Sequence, residues 1–559
     1  MNKLTRQLAA CFLAGVACSL SIGEAFALSS PAAGKILPNI ILIQIDDLDF
    51  NEIGAYDGTG KVWTPHMDAL VKGGMKFTQA RVGSPICVPS RYSTLTGKYV
   101  GHARNLRNYP TSRTLSYDLF TNEILVGPHI GEGERTIAHF LKEQGYVTGI
   151  VGKSHNDEES ANRGRNTWPH TPLAREIVGS SLIADMAEAD AWSDQVQQQI
   201  REMYHATVER IRRDNGFDVV DRIYYENKER TPIPTVMKVE NTPWITEGAI
   251  EFLRENREQP FFLYYSNPIP HTQVIHEADK GTGSWGPVNQ TKSNMTARDP
   301  RGTPAGWLEH IPTVQPPREE AMRRARKHAP DFFPANAVIT WLDDSIGAIM
   351  TELRRLGLEE NTVVIFMSDH QSAGKFTPYD NGARIPFAVY WKGSIQPGTV
   401  TDSLVSNVDV LPTILELAGG QVPVDAQLDG VSFVPVLKDP TAVIREHTLI
   451  EVGFARALVT KKWKYIAVRF PPGVERPAPG NLVSITGASR RTERMEIEQW
   501  RPDFAETLVD DHLYDLESDP DERNNLFGEP GFEKISATMK ERLREELQQF
   551  PHAFGEFKR

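Results

Sequence analysis

Cys87-Val-Pro-Ser-Arg-Tyr-Ser-Thr-Leu-Thr-Gly97 decides how the rest of this chain is read. It is a cysteine followed by a proline-stiffened turn, then a basic residue and hydroxyls. The chain has three cysteines, and the other two, Cys11 and Cys18, lie in an apolar N-terminal segment with the layout of an export signal. Removing that segment leaves Cys87 alone. A lone thiol in an exported protein cannot close a disulfide within its own fold, so it is free, intermolecular or chemically used. The plainer alternative is a buried, inert thiol on a turn.

The export reading rests on residues 1–27. Lys3 and Arg6 precede an apolar run that ends in Ala25-Phe26-Ala27, the small-x-small layout of a signal peptide. No later stretch approaches the ~20 apolar residues of a membrane span. A periplasmic or secreted protein without a membrane span is expected. At 559 residues the chain exceeds what one compact core usually holds. Its 40% hydrophobic and 24% charged residues are ordinary for a soluble globular protein. The formal net charge of -12 argues against nonspecific nucleic-acid binding. An anionic substrate would have to be drawn in by a local positive cluster.

Outward from Cys87, apolar strands alternate with helices. Asn39 to Ile45 reads as a buried strand ending in Asp46-Asp47. Thr64 and Pro65 read as the N-cap and first residue of a helix. Thr136 to Gly145 reads as an amphipathic helix leading into the strand Val147–Val151 and then Gly152-Lys153-Ser154-His155. Trp244 to Glu258 is a predicted helix, Pro260 to Ser266 a strand, and His271 follows Pro270. Ala335 to Leu356 and Thr362 to Ser368 repeat the pattern, and Asp369-His370 come next. This alternation predicts a parallel α/β sheet. Acids, histidines and lysines then fall just past the C-terminal ends of four strands, where open α/β sheets bind ligands. Adjacent carboxylates cannot both stay charged without a cation. Asp46, Asp47 and Asp369 together supply hard oxygen ligands suited to Ca²⁺ or Mg²⁺. Residues 156–241 read as a polar insertion and 273–330 as a long Gly- and Pro-rich loop. After Gly430, short apolar runs predict an antiparallel sheet, and a last helix is expected from Glu533 to Phe550. The expected domains are 36–440 and 441–559.

The Cys87 stretch meets every fixed position of C-x-P-S-R-x-x-x-L-T-G, so the chain resembles the type I, formylglycine-dependent sulfatases of the alkaline phosphatase superfamily. Gly152–His155 resembles that family's G-K-x-H element, Pro270-His271 its P-H element, and Gly374-Lys375 its sulfate-binding lysine. Tyr379–Pro386, Val408–Thr413 and Leu513–Leu516 look like further landmarks. The resemblance implies an α/β/α sandwich with a large mixed, mostly parallel sheet and a smaller C-terminal α+β subdomain. It implies a sulfuric ester hydrolase in which a maturation enzyme oxidises Cys87 to formylglycine. One hydroxyl of the hydrated aldehyde would attack sulfur and the other would later expel sulfate. It further implies a Ca²⁺ held by Asp46, Asp47, Asp369, His370 and the modified Cys87. Arg91, Lys153, His155, His271 and Lys375 would serve catalysis, with Lys153, His271 and Lys375 on the substrate. A sulfated carbohydrate is the expected substrate. Gln371 departs from the family's usual glycine, which points to a changed turn or a substrate contact. His102 and His139 read as structural, and Arg323–His328 as a solvated helix face. Two other readings stay open: a phosphonate monoester or phosphodiester hydrolase on the same scaffold, and an inactive protein that binds sulfated glycans.

Overall fold

Ile41, Ile43 and Ile45 point to one side of the first strand and Ile40, Leu42 and Gln44 to the other, because successive side chains in a strand alternate. In the computed structural model of the chain, that strand, Asn39–Asp46 (β1), is buried along its whole length. Burial on both faces requires helices on both sides, the usual setting of a parallel sheet. The structure describes residues 37–57, 61–103, 128–131, 133–156, 192–225, 233, 234, 237, 239, 241–271, 301–330, 335–469, 510–551 and 554–557. The proposed signal segment 1–27, with Cys11 and Cys18, lies outside them. Residues from Pro38 onward form one compact unit.

Among the described residues, the main sheet has eight strands. In chain order they are β1, Met75–Phe77 (β2), Val147–Lys153 (β3), Val219–Tyr224 (β4), Phe261–Pro270 (β5), Thr362–Ser368 (β6), Phe387–Trp391 (β7) and Thr399–Thr401 (β8). Their spatial order is β8-β2-β7-β6-β1-β5-β3-β4. The run β6-β1-β5-β3-β4 is parallel throughout, and β7 is antiparallel to both of its neighbours. This is the large, mixed, mostly parallel sheet that was expected.

Helices cover both faces. Thr242–Glu255 and Ala335–Arg355 pack with Ile41, Ile43 and Ile45 in one apolar core that includes Phe252, Leu253, Leu342, Ile346 and Ile349. On the opposite face the helix Cys87–Thr96 meets the sheet through Gln44, whose amide donates to Thr94 Oγ1 at 3.2 Å. Thr64 and Pro65 do open a helix, Pro65–Gly73. The Thr64 hydroxyl, however, accepts from Gly54 N–H and donates to Asp68 instead of capping.

Two expectations need correction. Residues 156–241 are not merely an insertion, because β4 lies within them and extends the main sheet beside β3. Asp194–Asn215, capped by the Ser193 hydroxyl, leads into that strand. The sequence Val-Val-Asp-Arg-Ile-Tyr hid it, since an edge strand carries polar residues that a central one would not. Residues 273–330 are not loop throughout either. Arg318–His328 is a helix lying along Ala335–Arg355, with Glu319 and Glu320 in its first turn and Arg326, Lys327 and His328 in its last, as the helix dipole favours.

Thr448–Val452 (β9), Ala455–Val459 (β10), Trp463–Val468 (β11) and His512–Asp515 (β12) form an antiparallel sheet in that order. The last helix, Glu533–Leu547, packs Met539, Leu543 and Leu547 against Leu449, Leu458, Tyr465 and Leu513. His139 takes part in the helix-start hydrogen bonding at Thr136. His102 joins distant parts of the chain: Nδ1 lies 2.8 Å from Asp429 Oδ2 and Nε2 lies 3.0 Å from the Gln549 carbonyl. Both histidines thus have structural partners.

Burial alone would lower the His102 pKa, but Asp429 and the Gln549 carbonyl outweigh it and raise it. A raised folded-state value means that the proton stabilises the fold. That stabilisation is complete below the unfolded imidazole pKa and is lost as pH rises through the folded one. His102→Gln should therefore lower Tm more at pH 6 than at pH 9. Equal shifts at both pH values, read by thermal denaturation, would contradict a charged His102–Asp429 pair.

Candidate active site

Strand register brings the reactive groups to one edge. Ile45 pairs with Ser368 and Asp46 with Pro270, while Gly152 pairs with Ser266. The four neighbouring strands β6, β1, β5 and β3 thus end at one height and deliver Asp369-His370, Asp46-Asp47, His271 and Lys153–His155. Asp47 and His155 turn with positive φ, 61° and 60°. Aspartate and histidine tolerate this conformation better than most side chains.

Cys87 opens its helix directly above these strand ends and is 4% exposed. Its Sγ lies 3.4 Å from His370 Nε2, 3.4 Å from Lys375 Nζ and 4.0 Å from Asp47 Oδ1. Asp46, Asp47, Cys87 and His370 each offer a ligand atom, and these atoms all fall within 4.8 Å of one another. Asp369 borders this group. Its Oδ1 accepts from Asp47 N–H at 3.0 Å and its Oδ2 faces Arg91 at 2.9 Å. Of the three acids Asp47 has the most charged neighbours, facing Lys375, His370 and His271.

Three cations stand against the acids, Arg91 and Lys153 buried and Lys375 half-buried. Lys153 Nζ pairs with Asp46, Lys375 Nζ lies 3.0 and 3.1 Å from the two Asp47 oxygens, and Arg91 lies 3.6 Å from Asp46. Burial pushes Asp46 up, but Lys153, His271, Arg91 and Lys375 together hold it well below the usual carboxylate range. Burial, reinforced by Asp46, pushes Asp369 up to about 6 despite His370 and Arg91. His370 goes to about 9: burial opposes its charge, and Asp369, Asp47 and Cys87 more than offset that. Burial, with Lys375 and Lys153, drives His271 well below the ordinary imidazole value. His271 is therefore neutral near pH 7, with Nε2 3.9 Å from Asp47 Oδ2. His155 is close enough for its own charge to lower His271 further.

Arg91 is fully buried one helical turn below Cys87. It grips Asp369, Tyr264 and Ser266, so it supports the site from beneath. Gln371 is not free for a substrate. Its oxygen accepts from Phe50 N–H, and its amide nitrogen donates to the Asp380 and Arg384 carbonyls. A side chain here replaces turn hydrogen bonds that a glycine could not supply. Sequence reasoning overlooked several supports. Asn407 donates to the Ser90 carbonyl and accepts from Gly83 N–H, and Asn156 donates to the Val88 carbonyl. Asp49 accepts from the Ser372 amide and hydroxyl. The spacing Asp46-Asp47-x-Asp49 was the available hint for the last.

Residues 38–420 match a protein-family model described as Sulfatase. An ulvan-active sulfatase of Formosa agariphila is 26% identical over 533 residues, covering 93% of this chain and 81% of its own. An N-acetylgalactosamine-6-O-sulfatase of Bacteroides thetaiotaomicron is 26% identical over 552 residues, covering 88% and 89%. Among solved structures, a Pseudoalteromonas sulfatase superposes with a TM-score of 0.55 at 18% identity, covering 93% of this chain and 92% of its own. Likeness at that identity speaks for the fold alone, a large mixed sheet between layers of helices.

Gly152 sets how β3 can approach β5. It has a φ of 97°, and a Cβ there would stand 2.0 Å from the Ser266 carbonyl oxygen. Gly152→Ala should cost about 3 kcal/mol or more, from backbone strain plus the clash. A urea-denaturation midpoint equal to the parent's would mean that the strand pair accepts a side chain at this point.

Proposed function

The chain belongs to the sulfatase family, the sulfuric ester hydrolases, and on that premise we propose that it hydrolyses sulfate monoesters of carbohydrates using formylglycine made from Cys87 beside a bound calcium ion. The carrying observation is the Cys87 side chain, set 3.4 Å from both His370 and Lys375. The thiol stands where the aldehyde oxygens would be. The carbohydrate class is supported by the relatives, which are named for ulvan and for N-acetylgalactosamine 6-O-sulfate.

The donor set fits a hard divalent cation. Asp46, Asp47 and His370, with the oxidised residue 87, would hold it, and Asp369, which borders them through the Asp47 N–H, would join the set. Calcium would supply a Lewis acid for the sulfuryl oxygens, and formylglycine a hydrated aldehyde as nucleophile. The chain's own residues do the rest. Lys375 and Lys153 are ammonium cations whose pKa values are raised: burial opposes their charge, and Asp47 and Asp46 respectively, with Cys87, outweigh it. They would bind the sulfuryl oxygens and hold the sulfate as charge shifts to the leaving oxygen. His271, neutral and 6% exposed, would face the ester oxygen and manage its proton. His155 and Lys153, at the end of β3, would take up the proton of residue 87. Arg91 positions residue 87 through Asp369 and Asp46. The same reading includes export by the 1–27 segment to the periplasm or medium, and oxidation of Cys87 by a formylglycine-generating enzyme. No helix among the described residues is long and apolar enough to cross a membrane.

Matured protein should cleave p-nitrophenyl sulfate faster than bis-p-nitrophenyl phosphate. Dominant phosphodiesterase activity would replace the sulfatase reaction with the phosphonate or phosphodiester alternative. The peptide carrying residue 87 should weigh about 18 Da less than its cysteine form. Persistence of the thiol with no turnover would favour the glycan-binding alternative. Cys87→Ala should lower kcat by about 10³-fold or more, since the covalent route is lost. Full activity in that variant would refute the nucleophile.

Chelation by EDTA should lower both activity and Tm, and added Ca²⁺ should restore them. A Tm indifferent to both would remove the cation. Sulfate release from a panel of sulfated saccharides would identify the substrate.

A further inference from the structure

Lys375 is carried by the segment Gln371–Tyr379, whose two ends are pinched together. Gly374 N–H donates to the Asn381 carbonyl, and Gly374 and Gly382 pack so closely that a Cβ on Gly382 would stand 2.1 Å from the Gly374 carbonyl oxygen. The segment leaves through Pro378-Tyr379-Asp380, and this exit is gripped by residues from far along the chain. Lys464, fully buried on β11, places Nζ 2.5 Å from Asp380 Oδ1, 2.6 Å from Glu522 Oε1 and 3.3 Å from the Pro378 carbonyl oxygen. Glu522, 1% exposed, accepts the Asp380 backbone N–H at 2.6 Å. Tyr379 packs edge-on against Tyr514 of β12, ring centres 6.1 Å apart. Arg81 completes the group with two hydrogen bonds to Asp380, at 2.9 and 2.6 Å.

Arg81 and Lys464 thus balance Asp380 and Glu522 in a dry interior. Such a group fixes geometry well beyond what stability alone requires, because each charge has few acceptable positions. We propose that Lys464 and Glu522 are positioning residues for the sulfatase reaction: they clamp the Pro378–Asp380 exit and so fix Lys375 against Asp47 and Cys87. They touch neither substrate nor the reacting atoms. The proposal rests on the reading of Lys375 as a sulfate-binding cation. It assigns the antiparallel sheet a part in sulfate affinity.

The test uses full-length matured protein, p-nitrophenyl sulfate as substrate and inorganic sulfate as competing probe. In Lys464→Met, KM and the sulfate inhibition constant should rise together by roughly tenfold, as expected when a binding group is displaced. Conversion of residue 87, read by mass, should be unchanged. Lys464→Met combined with Lys375→Ala should be no worse than Lys375→Ala alone, since the first acts through the second. A folded Lys464→Met protein with parental KM and sulfate inhibition overturns the proposal, as does a double variant whose losses multiply. If Lys464→Met does not fold, Glu522→Gln keeps volume and an acceptor for Asp380 N–H, and the same constants decide. Failure of the functional reading looks different: the parent enzyme would not release sulfate, or Lys375→Ala alone would leave KM and inhibition unaltered.

Discussion

Buried charge, balanced within a few ångströms, is the constraint on which the molecule is built. Asp46, Asp47 and Asp369 are buried at a strand edge, Arg91 and Lys153 are buried with them, and Lys375 closes the group from its half-buried position. Removing a charge of either sign would leave its partners unpaired in a medium that solvates them poorly, a penalty of several kcal/mol. The Cys87 helix is therefore not free to drift. Through Arg91 it is tied to β6 and β5, and through the Ser90 hydroxyl, which donates to the Asp369 carbonyl, it is tied there again. The thiol inherits its position from these ties.

Backbone register does the coarser part of the same job. Because side chains alternate along a strand, a slip of one residue between β1 and either neighbour would turn Asp46 to the opposite face. The apolar residues of β1 fix that register, since they are buried on both sides. The core that holds the sheet together is thus also what lines up the acids with the cations. Gly152 adds a local condition, because β3 approaches β5 too closely there for any side chain.

The central strands and the helices between them were legible because parallel strands buried on both faces read as unbroken apolar runs. The gathering of the site could also be read, since four such runs each ended in acids, histidines or lysine. Legibility failed where polarity and structure part company. β4 sits at an edge and carries Asp221 and Arg222, so its pattern resembles loop. Of the helix Arg318–His328 only the end from Arg323 was read as helix, because the element is mostly charged and its start declares itself through the placement of those charges more than through an apolar face. Gln371, read as a turn of uncertain shape, is held by three backbone groups that no local pattern could reveal. The supports Asn407 and Asn156 were equally hidden, because their partners lie far away in sequence.

Lys464 and Glu522 reach Asp380 across 84 and 142 residues of chain. A ribosome releases the N-terminal part first, so all eight strands of the main sheet exist before either partner has been made. Until then Asp380 has Arg81 as its strong counter-ion, and the exit of the Lys375 segment has no lock. The nascent chain can thus assemble its scaffold early, yet completes the clamp on Asp380 only once its last stretch has been synthesised and docked. Any shortening from the C-terminal side that removes Glu522 also takes away the last helix, so the hold on Asp380 and the core of the antiparallel sheet are lost together.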